Sequence, residues 1–397
     1  MRAVFKPSDA NDIVSMMCFL PLPAAIEGAA EQGLIQFMAK MLLRGTLTRS
    51  NADLAEAIDS LGISISFSAA DDYSEGTLVC TSDTFVEGLA LLADTFQNPA
   101  FEPEEIEKER QNTIAGIRRA DDDLLSYAMR HFLKELYGGH PYGFPGSGLV
   151  ETVSEFTRDQ IVSLHQEFVD PGRFLVVCAG NFDPEKAREL LTRHFRAKEP
   201  PTAVPNVSPP VLVPPTVTKL SRKSEQAFLC AGFHACGFDS PDLAGVRVLN
   251  AVLGEGMSSR LFLHLRDEKG LAYATGSQFA PRRLGGHLVG YIGTSPGNLQ
   301  IAREGMLAEF AGVRNILVPD DELDRARNYV VGKFLIDHQT NQRQAHYLGL
   351  FETMGLGMGW DEEFPRRIQE VDARTVREMD NKYLGDPTIV ELVPGKA

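Results

Sequence analysis

A proline-rich segment near the middle of the chain, EPPTAVPNVSPPVLVPP at Glu199–Pro215, constrains the fold more than any other feature. It contains seven prolines, and neither a helix interior nor a central strand tolerates proline at that density. Such a segment is extended and semi-rigid. It therefore predicts two domains of nearly equal size, at residues 1–198 and 216–397, joined by a linker at residues 199–215.

The two predicted domains repeat one plan. ADTFQNPAFEPEEIEKER (Ala93–Arg110) reads as a helix end, a connection and an acidic helix start, and AEFAGVRNILVPDDELDRAR (Ala308–Arg327) has the same order. FLVVCAGNFDPEKARELLTRHF (Phe174–Phe195) reads as a buried strand followed by an amphipathic helix with proline at its start. The pattern predicts an α+β fold of two similar halves, each a mainly antiparallel sheet packed with helices, together forming one half of a clamshell.

The charge of the chain limits its partners. Asp and Glu number 54 against 39 Lys and Arg, which gives a formal net charge of −15. Nucleic acids and anionic membranes need a basic face, so neither is expected as the main partner. No apolar run is long enough to span a bilayer.

Cysteine usage and the N-terminus bear on the compartment. The five cysteines are few, odd in number and set in apolar runs, which favours buried free thiols over disulfides: Cys18, Cys80, Cys178, Cys230 and Cys236. The sequence MRAVFKPSDAND has no hydrophobic core typical of a signal peptide. The prediction is a cytoplasmic protein, or a periplasmic one if a signal peptide has been removed.

The stretch GLIQFMAKMLLRGT (Gly33–Thr46) predicts an apolar helix that carries an unexpected polar pair. Its apolar residues recur at helical spacing, whereas Gln36 and Lys40 lie four residues apart on one face, beside Ala39. The stretch resembles the G-L-x-H-F-x-E-H-M-L-F-x-G-T helix of the inverzincins, the insulinase/pitrilysin-type zinc peptidases that include the mitochondrial processing peptidase.

The resemblance continues along nearly the whole chain. It includes FEPEEIEKERQNTIAGIRRADDD, YGGHPYGFPGSGLVETVSEFT and FLVVCAGNFDP in the first half. In the second half it includes LNAVLGEGMSSRLFLHLRDEKGLAY. The chain is thus identified as a member of this family, with the fold predicted above.

The family's catalytic groups are replaced in this sequence. In the family, H-x-x-E-H supplies two zinc-binding imidazoles and a general base, and a Glu on the next long helix is the third ligand. The matching positions hold Gln36, Ala39 and Lys40, and then Ala115 or Gly116. A lysine must lose a proton to bind zinc, at about 4–5 kcal/mol at neutral pH. The resemblance therefore implies no metal, no cofactor in this chain and no hydrolysis by it alone.

The second half keeps another pair of residues. SSRLFLHLRDEKGLAY contains Arg266 and, seven residues later, Tyr273. In the family, an Arg and a Tyr at this spacing face the zinc site across a closed chamber and contact the substrate. A guanidinium and a phenol suit the stabilisation of an oxyanion. The alternative reading makes Arg266 a solvated charge and Tyr273 a half-buried strand aromatic.

Two further stretches match regions that bind substrate in the family. GEGM resembles a shortened glycine-rich loop associated with substrate capture, through Gly254 and Gly256, although a simple helix-to-turn glycine cluster explains it equally well. SISFSAADD (Ser64–Asp72) falls where catalytic halves pair with an extended substrate, but the family's Asn-Ala-x-Thr pattern is absent.

The leading hypothesis is a zinc-free, inactive subunit of a heteromeric endopeptidase. It would provide Arg266 and Tyr273 to peptide bound at the zinc site of a partner subunit with an intact H-x-x-E-H helix. The alternative is a non-enzymatic structural or peptide-binding member of the family. A third hypothesis, an autonomous peptidase with a relocated metal, would rely on Cys230, His234 and Cys236 in CAGFHAC, whose strand spacing does not suit a tetrahedral ion.

Overall fold

The computed structural model describes residues 1–198, 203 and 206–395. Of the predicted linker at residues 199–215, residues 199–202 and 204–205 lie outside the described residues, and residues 206–215 contain neither helix nor strand. None of the helices in the described residues has the length and apolar character needed to cross a membrane.

The chain forms two compact units that are not continuous in sequence. Unit 1 comprises Met1–Arg119, Phe144–Val207 and Asp337–Thr353. Unit 2 comprises Ala120–Gly143, Ser208–Ile336 and Met354–Ala397. The prediction of two continuous halves thus differs from the structure at two segments, 120–143 and 337–353, each of which packs with the opposite half of the sequence.

Unit 1 contains a five-stranded sheet with the order β1-β5-β2-β4-β3. Only the β1–β5 pair is parallel, and the other neighbours are antiparallel. The strands are β1 (Arg2–Pro7), β2 (Ile13–Leu20), β3 (Ser64–Ala69), β4 (Ser74–Thr81) and β5 (Leu175–Gly180). The helices are α1 (Leu34–Met41), α2 (Asn51–Leu61), α3 (Phe85–Gln97), α4 (Pro103–Asp122), α6 (Val150–Glu155), α7 (Arg158–Phe168), α8 (Pro184–His194) and α12 (Asn341–Thr353).

Unit 2 contains a second five-stranded sheet, β6-β10-β7-β9-β8, which matches the first strand for strand. Its single parallel pair, β6–β10, corresponds to β1–β5. This correspondence confirms the predicted α+β repeat. The strands are β6 (Val217–Arg222), β7 (Ala227–Ala235), β8 (Ala274–Ala280), β9 (Gly286–Thr294) and β10 (Thr388–Pro394). The helices are α5 (Leu124–Tyr137), α9 (Leu243–Leu253), a π-helix (Leu261–Glu268), α10 (Leu299–Asn315), α11 (Asp320–Asp337), α13 (Trp360–Gln369) and α14 (Ala373–Tyr383).

The central strands β2 and β7 are buried on both faces, because one face of each sheet is covered by a helix from the other half of the sequence. In unit 1, α12 covers β2, and a Cβ at Gly349 would lie 2.0 Å from the Phe19 ring. In unit 2, α5 covers β7, and a Cβ at Gly232 would lie 2.6 Å from the Phe132 ring. Each helix therefore docks where a glycine leaves room for a phenylalanine ring.

All five cysteines are buried and free, as the sequence predicts. Cys18, Cys80 and Cys178 lie on neighbouring strands in the core of unit 1. Burial raises the pKa of each of these thiols, so they behave as small apolar core residues rather than as nucleophiles.

Candidate functional site

A buried carboxylate, that of Glu27, binds the start of helix α1. Glu27 accepts the backbone N–H of Gly33 at 2.8 Å and of Ile35 at 2.7 Å, which satisfies free donors at the helix start. Gly33 has a φ of 88°, and a Cβ there would lie 2.4 Å from the nitrogen of Gly148, so only glycine fits. Desolvation raises the pKa of Glu27 to about 7 in spite of both hydrogen bonds.

The apolar residues of α1 face the core, and its two polar residues lie on the opposite face. Leu34, Ile35, Phe37, Met38 and Met41 are buried. The helix ends at Met41, so the last residues of the predicted stretch Gly33–Thr46 are not helical. Gln36 and Lys40 lie on the remaining face, four residues apart, and each has a specific partner.

Gln36 is bound to the edge strand β3. Its Oε1 atom accepts the backbone N–H of Ala69 at 2.7 Å. The position that carries an imidazole in the family therefore holds an amide that is already engaged with the sheet.

Lys40 lies in a polar cluster between α1 and α4. Its Nζ atom donates to the Thr113 hydroxyl at 3.0 Å and lies 3.4 Å from a carboxylate oxygen of Glu109. Arg44 donates to the other oxygen of Glu109, and the Thr113 hydroxyl donates to Glu109 at 3.0 Å. Glu109 is only 4% exposed, so one buried carboxylate is balanced by two cations and a hydroxyl.

These residues do not fit a zinc ion. The cluster has one carboxylate, and Lys40 supplies a positive charge at the place where a metal would need a ligand. Ala39, at the position of the family's general base, is 4% exposed and has no titratable group. Across the described residues, no group of three or more His, Cys, Asp or Glu side chains is placed to hold a metal.

The structure distinguishes the two candidate positions for the third ligand. Ala115 is exposed, whereas Gly116 is half-buried and continues the helix face of Glu109 and Thr113 at i+7 and i+3. A Cβ at Gly116 would meet nothing within 4 Å. Gly116, rather than Ala115, is therefore the position on α4 that lies on the cluster's side of the helix.

Three members of this cluster were not singled out by the sequence analysis: Arg44, Glu109 and Thr113. The available signal was spacing. Thr113 follows Glu109 by four residues, so the two share a face of α4, whereas Arg44 follows Lys40 by four but lies beyond the end of α1. Nothing in the sequence indicated that these residues meet.

Arg266 lies near the end of the π-helix in unit 2. This helix is anchored by Leu261 and Leu265, which are fully buried. Arg266 is exposed, and its Cζ atom lies over the Phe262 ring at 4.8 Å from the ring centre. Among the described residues, no carboxylate pairs with the Arg266 guanidinium. π-Helical turns are rare and occur frequently at functional sites.

Tyr273 immediately precedes the edge strand β8. Its side chain is 41% exposed, and its ring packs edge-on against Phe228 at 6.0 Å between ring centres. A Cβ at Gly293 would lie 2.8 Å from both rings, so this glycine makes room for the packing. Partial burial raises the pKa of the Tyr273 phenol to about 12. The phenol therefore stays protonated and can donate at neutral pH.

A tight connection links Arg266 to Tyr273. The N–H of Gly270 donates to the Arg266 carbonyl at 3.1 Å, and the N–H of Leu271 donates to the Leu265 carbonyl at 2.8 Å. The Thr294 hydroxyl of β9 then holds the Leu271 carbonyl at 2.6 Å. Both exposed side chains are thus attached to a backbone that is hydrogen-bonded on each side.

The glycines of GEGM have packing roles. A Cβ at Gly254 would lie 2.3 Å from the nitrogen of Ser277 in β8, and Gly256 has a φ of 85° with the Tyr329 ring 2.8 Å from its Cβ position. Glu255 pairs with Arg247 at 3.3 Å. The helix-to-turn reading accounts for both glycines, and substrate binding there stays a prediction.

The stretch CAGFHAC is a strand, as predicted. Cys230 and His234 lie in β7, opposite Tyr291 and His287 of β9. His287 is 3% exposed, and its Nδ1 atom is hydrogen-bonded to the Tyr137 hydroxyl of α5 at 3.1 Å. Desolvation lowers the pKa of His287 to about 3. These histidines belong to the packing of α5 on the sheet.

Comparison with known proteins identifies the family. The insulinase model of peptidase family M16 matches residues 8–145, and the model of the peptidase M16 inactive domain matches residues 155–330. The chain belongs to peptidase family M16, the insulinase family, as the motifs in its sequence predict.

Relatives and solved structures agree with this assignment. An uncharacterized zinc protease of Mycobacterium leprae is 29% identical over 388 residues, which cover 96% of this chain and 86% of the relative. A crystal structure of a peptidase M16 inactive domain from Pseudomonas fluorescens has a TM-score of 0.92 at 21% identity and covers 100% of this chain and 96% of its own. A chain of complex III2 from Candida albicans has a TM-score of 0.84 at 14% identity, with 98% and 92% covered. At these identities the two structures establish the fold only.

Proposed function

We propose that this chain is the zinc-free subunit of a heteromeric M16 endopeptidase, and that it provides Arg266 and Tyr273 to peptide bound at the zinc site of a partner subunit. One asymmetry carries the proposal. The first half has a lysine–glutamate–arginine cluster in place of metal ligands, whereas the second half presents a guanidinium and a phenol to solvent.

The chemistry of the two exposed groups fits this role. A peptide carbonyl under attack by zinc-bound water develops negative charge on its oxygen, and donors fixed beforehand stabilise that charge most effectively. The pKa of the Tyr273 phenol, raised to about 12 by partial burial, lies far above neutral pH, so the hydroxyl is available as a donor. Arg266 presents several N–H donors in the fixed plane of its guanidinium.

The support of the two side chains also favours a functional role. The ring of Tyr273 rests on Phe228 in the space left by Gly293, and the guanidinium of Arg266 rests on Phe262. Each side chain is thus in contact with an aromatic ring although its residue is exposed to solvent. This arrangement reduces the entropy lost when a substrate is bound.

The test is reconstitution with an M16 subunit from the same organism that carries an intact H-x-x-E-H helix. We expect no peptide hydrolysis by this chain alone and cleavage of a fluorogenic peptide by the mixture. Tyr273→Phe should lower kcat of the mixture about tenfold or more, because only the transition-state donor is removed. Arg266→Lys should lower kcat/KM by a similar factor.

Matched controls separate this role from a general loss of stability. Tyr329→Phe removes the hydroxyl of another exposed tyrosine of unit 2, and Arg325→Lys alters an exposed arginine of α11. Both control mixtures should match the parent. Full activity of the Tyr273→Phe mixture would show that the proposed role is wrong.

A second candidate function is a non-enzymatic structural or peptide-binding subunit. The similarity of fold to a chain of complex III2 supports it, as does the packing role of both glycines in GEGM. It predicts that no mixture is active and that changes at Arg266 and Tyr273 have no effect on assembly. Co-purification without hydrolysis would favour this candidate.

A further inference from the structure

The four edge strands of the two sheets differ in charge. The edges β1 and β6 contain Arg2, Lys6, Lys219 and Arg222, which discourage pairing with another strand. The edges β3 (SISFSA) and β8 (ATGSQFA) contain no charged residue and no proline. An uncharged, β-prone edge readily accepts an added strand unless something else protects it.

The hydrogen-bond pattern shows which groups of β3 face outward. At the end of the β3–β4 hairpin, the Ala70 N–H donates to the Tyr73 carbonyl at 2.7 Å. Because inward and outward pairs alternate along an antiparallel ladder, the N–H groups of Ile65, Phe67 and Ala69 point away from β4. An added strand would use these three donors together with the carbonyls of the same residues.

The Ala69 N–H, the last of these donors, is already hydrogen-bonded within the chain. Gln36 of α1 holds the Ala69 N–H at 2.7 Å. Just beyond β3, the carbonyls of Ala70 and Asp71 accept the N–H groups of Ala24 and Ala25 at 2.9 and 3.1 Å. The outer edge is therefore sealed continuously from Ala69 into the turn.

The beginning of β3 is also closed. The N–H of Ile63 donates to the Ile58 carbonyl of α2 at 3.2 Å. Among the described residues of β3, only Ile65 and Phe67 have outward N–H groups without an acceptor. The part of the edge left open therefore runs only from Ile65 to Phe67, which is short for the run of main-chain hydrogen bonds from which strand addition derives its affinity.

We propose that Gln36 is an edge lock: its side-chain amide holds the outer N–H of Ala69 and thereby closes the first sheet to addition of an extended peptide strand. Of the contacts that seal this edge, it is the one made by a side chain, so a single substitution can remove it. The other uncharged edge has a related contact, in which the Gly254 carbonyl accepts the Ser277 N–H at 3.1 Å.

The edge lock does not depend on the proposed role of Arg266 and Tyr273, and its test needs no partner subunit. Gln36→Leu keeps the approximate volume of the side chain but removes the acceptor. Gln36→Glu is the matched control because it keeps an oxygen at the same position. Circular dichroism and the Tm of all three proteins establish that they are folded alike, and Gln36→Ala replaces Gln36→Leu if that variant is not.

Two measurements test the proposal. Hydrogen–deuterium exchange of the Ala69 amide should be about tenfold faster in Gln36→Leu than in the parent or in Gln36→Glu. A fluorescein-labelled peptide of sequence GSISFSAG should bind Gln36→Leu with a Kd near or below about 100 μM, by fluorescence anisotropy, and bind neither of the other proteins. A second peptide, GSISPSAG, cannot continue the ladder through its proline and should bind none of them.

Three results would overturn the edge lock. The first is that the parent binds GSISFSAG as tightly as Gln36→Leu does. The second is that Gln36→Leu binds GSISPSAG as tightly as GSISFSAG, and the third is that a folded Gln36→Leu does not bind GSISFSAG. Unchanged exchange at Ala69 in that variant would also contradict the proposal, because the hydrogen bond would then not protect this amide.

Discussion

The Nζ atom of Lys40 lies 3.0 Å from the hydroxyl oxygen of Thr113, which places an ammonium group between the helices α1 and α4. The same ammonium is 3.4 Å from the buried carboxylate of Glu109. A cation thus still joins the two helices that carry the zinc ligands in the family, but it belongs to a side chain. The contact between α1 and α4 at this point is therefore made by a side-chain hydrogen bond and an ion pair.

We predict that three substitutions create a zinc site in this scaffold. Gln36→His, Lys40→His and Gly116→Glu together provide two imidazoles on one face of α1 and a carboxylate on the facing side of α4, where a Cβ meets nothing within 4 Å. Zinc content after dialysis, measured by mass spectrometry, should rise to about one equivalent. The double variant without Gly116→Glu should bind at least about tenfold more weakly. A folded triple variant that retains no zinc would contradict this account of the site.

The buried carboxylate of Glu27 predicts a loss of stability at higher pH. Its pKa is about 7 in the folded chain and about 4.5 when exposed, so the folded state binds more protons between these values. The free energy of unfolding therefore falls as the pH rises from about 4.5 through 7, by up to about 3 kcal/mol. Urea unfolding of the parent and Glu27→Gln should show that the variant lacks this part of the pH dependence. Glu56→Gln, which changes an exposed carboxylate of α2, should behave as the parent does.

The buried His287 predicts a loss of stability in acid. Its pKa is lowered from about 6.5 to about 3 by burial, with a further contribution from the charge of Arg282. The unfolded chain binds the proton first, so the free energy of unfolding falls as the pH drops from about 6.5 towards 3, by roughly 5 kcal/mol at most. His287→Gln should lose less stability than the parent between pH 7 and pH 4 in urea titrations. Equal losses would mean that His287 does not carry the effect.

The sequence was sufficient to predict the repeat, because proline density and helix boundary signals are local. The strand–turn–helix plan of Phe174–Phe195 appears as β5 and α8, and SISFSA appears as an edge strand. The packing of α5 and α12, each on the sheet formed mainly by the other half of the sequence, was not predictable in this way. Both sheets offer an equally apolar face, and which one a helix covers is decided by tertiary packing, such as the Phe132 ring over Gly232.

The candidate site was predictable only in part for the same reason. The absence of an H-x-x-E-H motif is evident from Gln36, Ala39 and Lys40 themselves. The partners of Gln36 and Lys40 depend on the register of β3 and on the packing of α4, which no local pattern specifies. The π-helix around Arg266 also has no local signature, because the same residues read as an ordinary amphipathic helix.

Close packing at glycine predicts a sharp difference between three alanine substitutions. Gly349→Ala places a methyl group 2.0 Å from the Phe19 ring, and Gly232→Ala places one 2.6 Å from both the Phe132 ring and the Leu288 carbonyl oxygen. Each should lower the free energy of unfolding by about 1–3 kcal/mol or more. Gly332 lies in α11 with nothing within 4 Å of its Cβ position, so Gly332→Ala should raise it by about 0.5–1 kcal/mol. Chemical denaturation would distinguish these outcomes, and equal effects at all three positions would contradict the packing argument.

The exchange of helices predicts that neither half of the sequence folds alone. A fragment of residues 1–198 contains α5 without the sheet of unit 2 and lacks α12, so the outer face of β2 would be exposed. A fragment of residues 216–397 contains α12 without the sheet of unit 1 and lacks α5, so one face of β7 would be exposed. An exposed apolar sheet face favours aggregation.

Each fragment expressed alone should therefore lack a cooperative unfolding transition, whereas the two co-expressed should purify together and unfold cooperatively. The control is the full chain cleaved at a protease site inserted within residues 206–213, which contain neither helix nor strand. Its two pieces should stay associated, because the cut breaks no element of either unit. Cooperative unfolding of the isolated 1–198 fragment at the parent's Tm would show that α12 is dispensable, and that the exchange of helices does not determine the stability of unit 1.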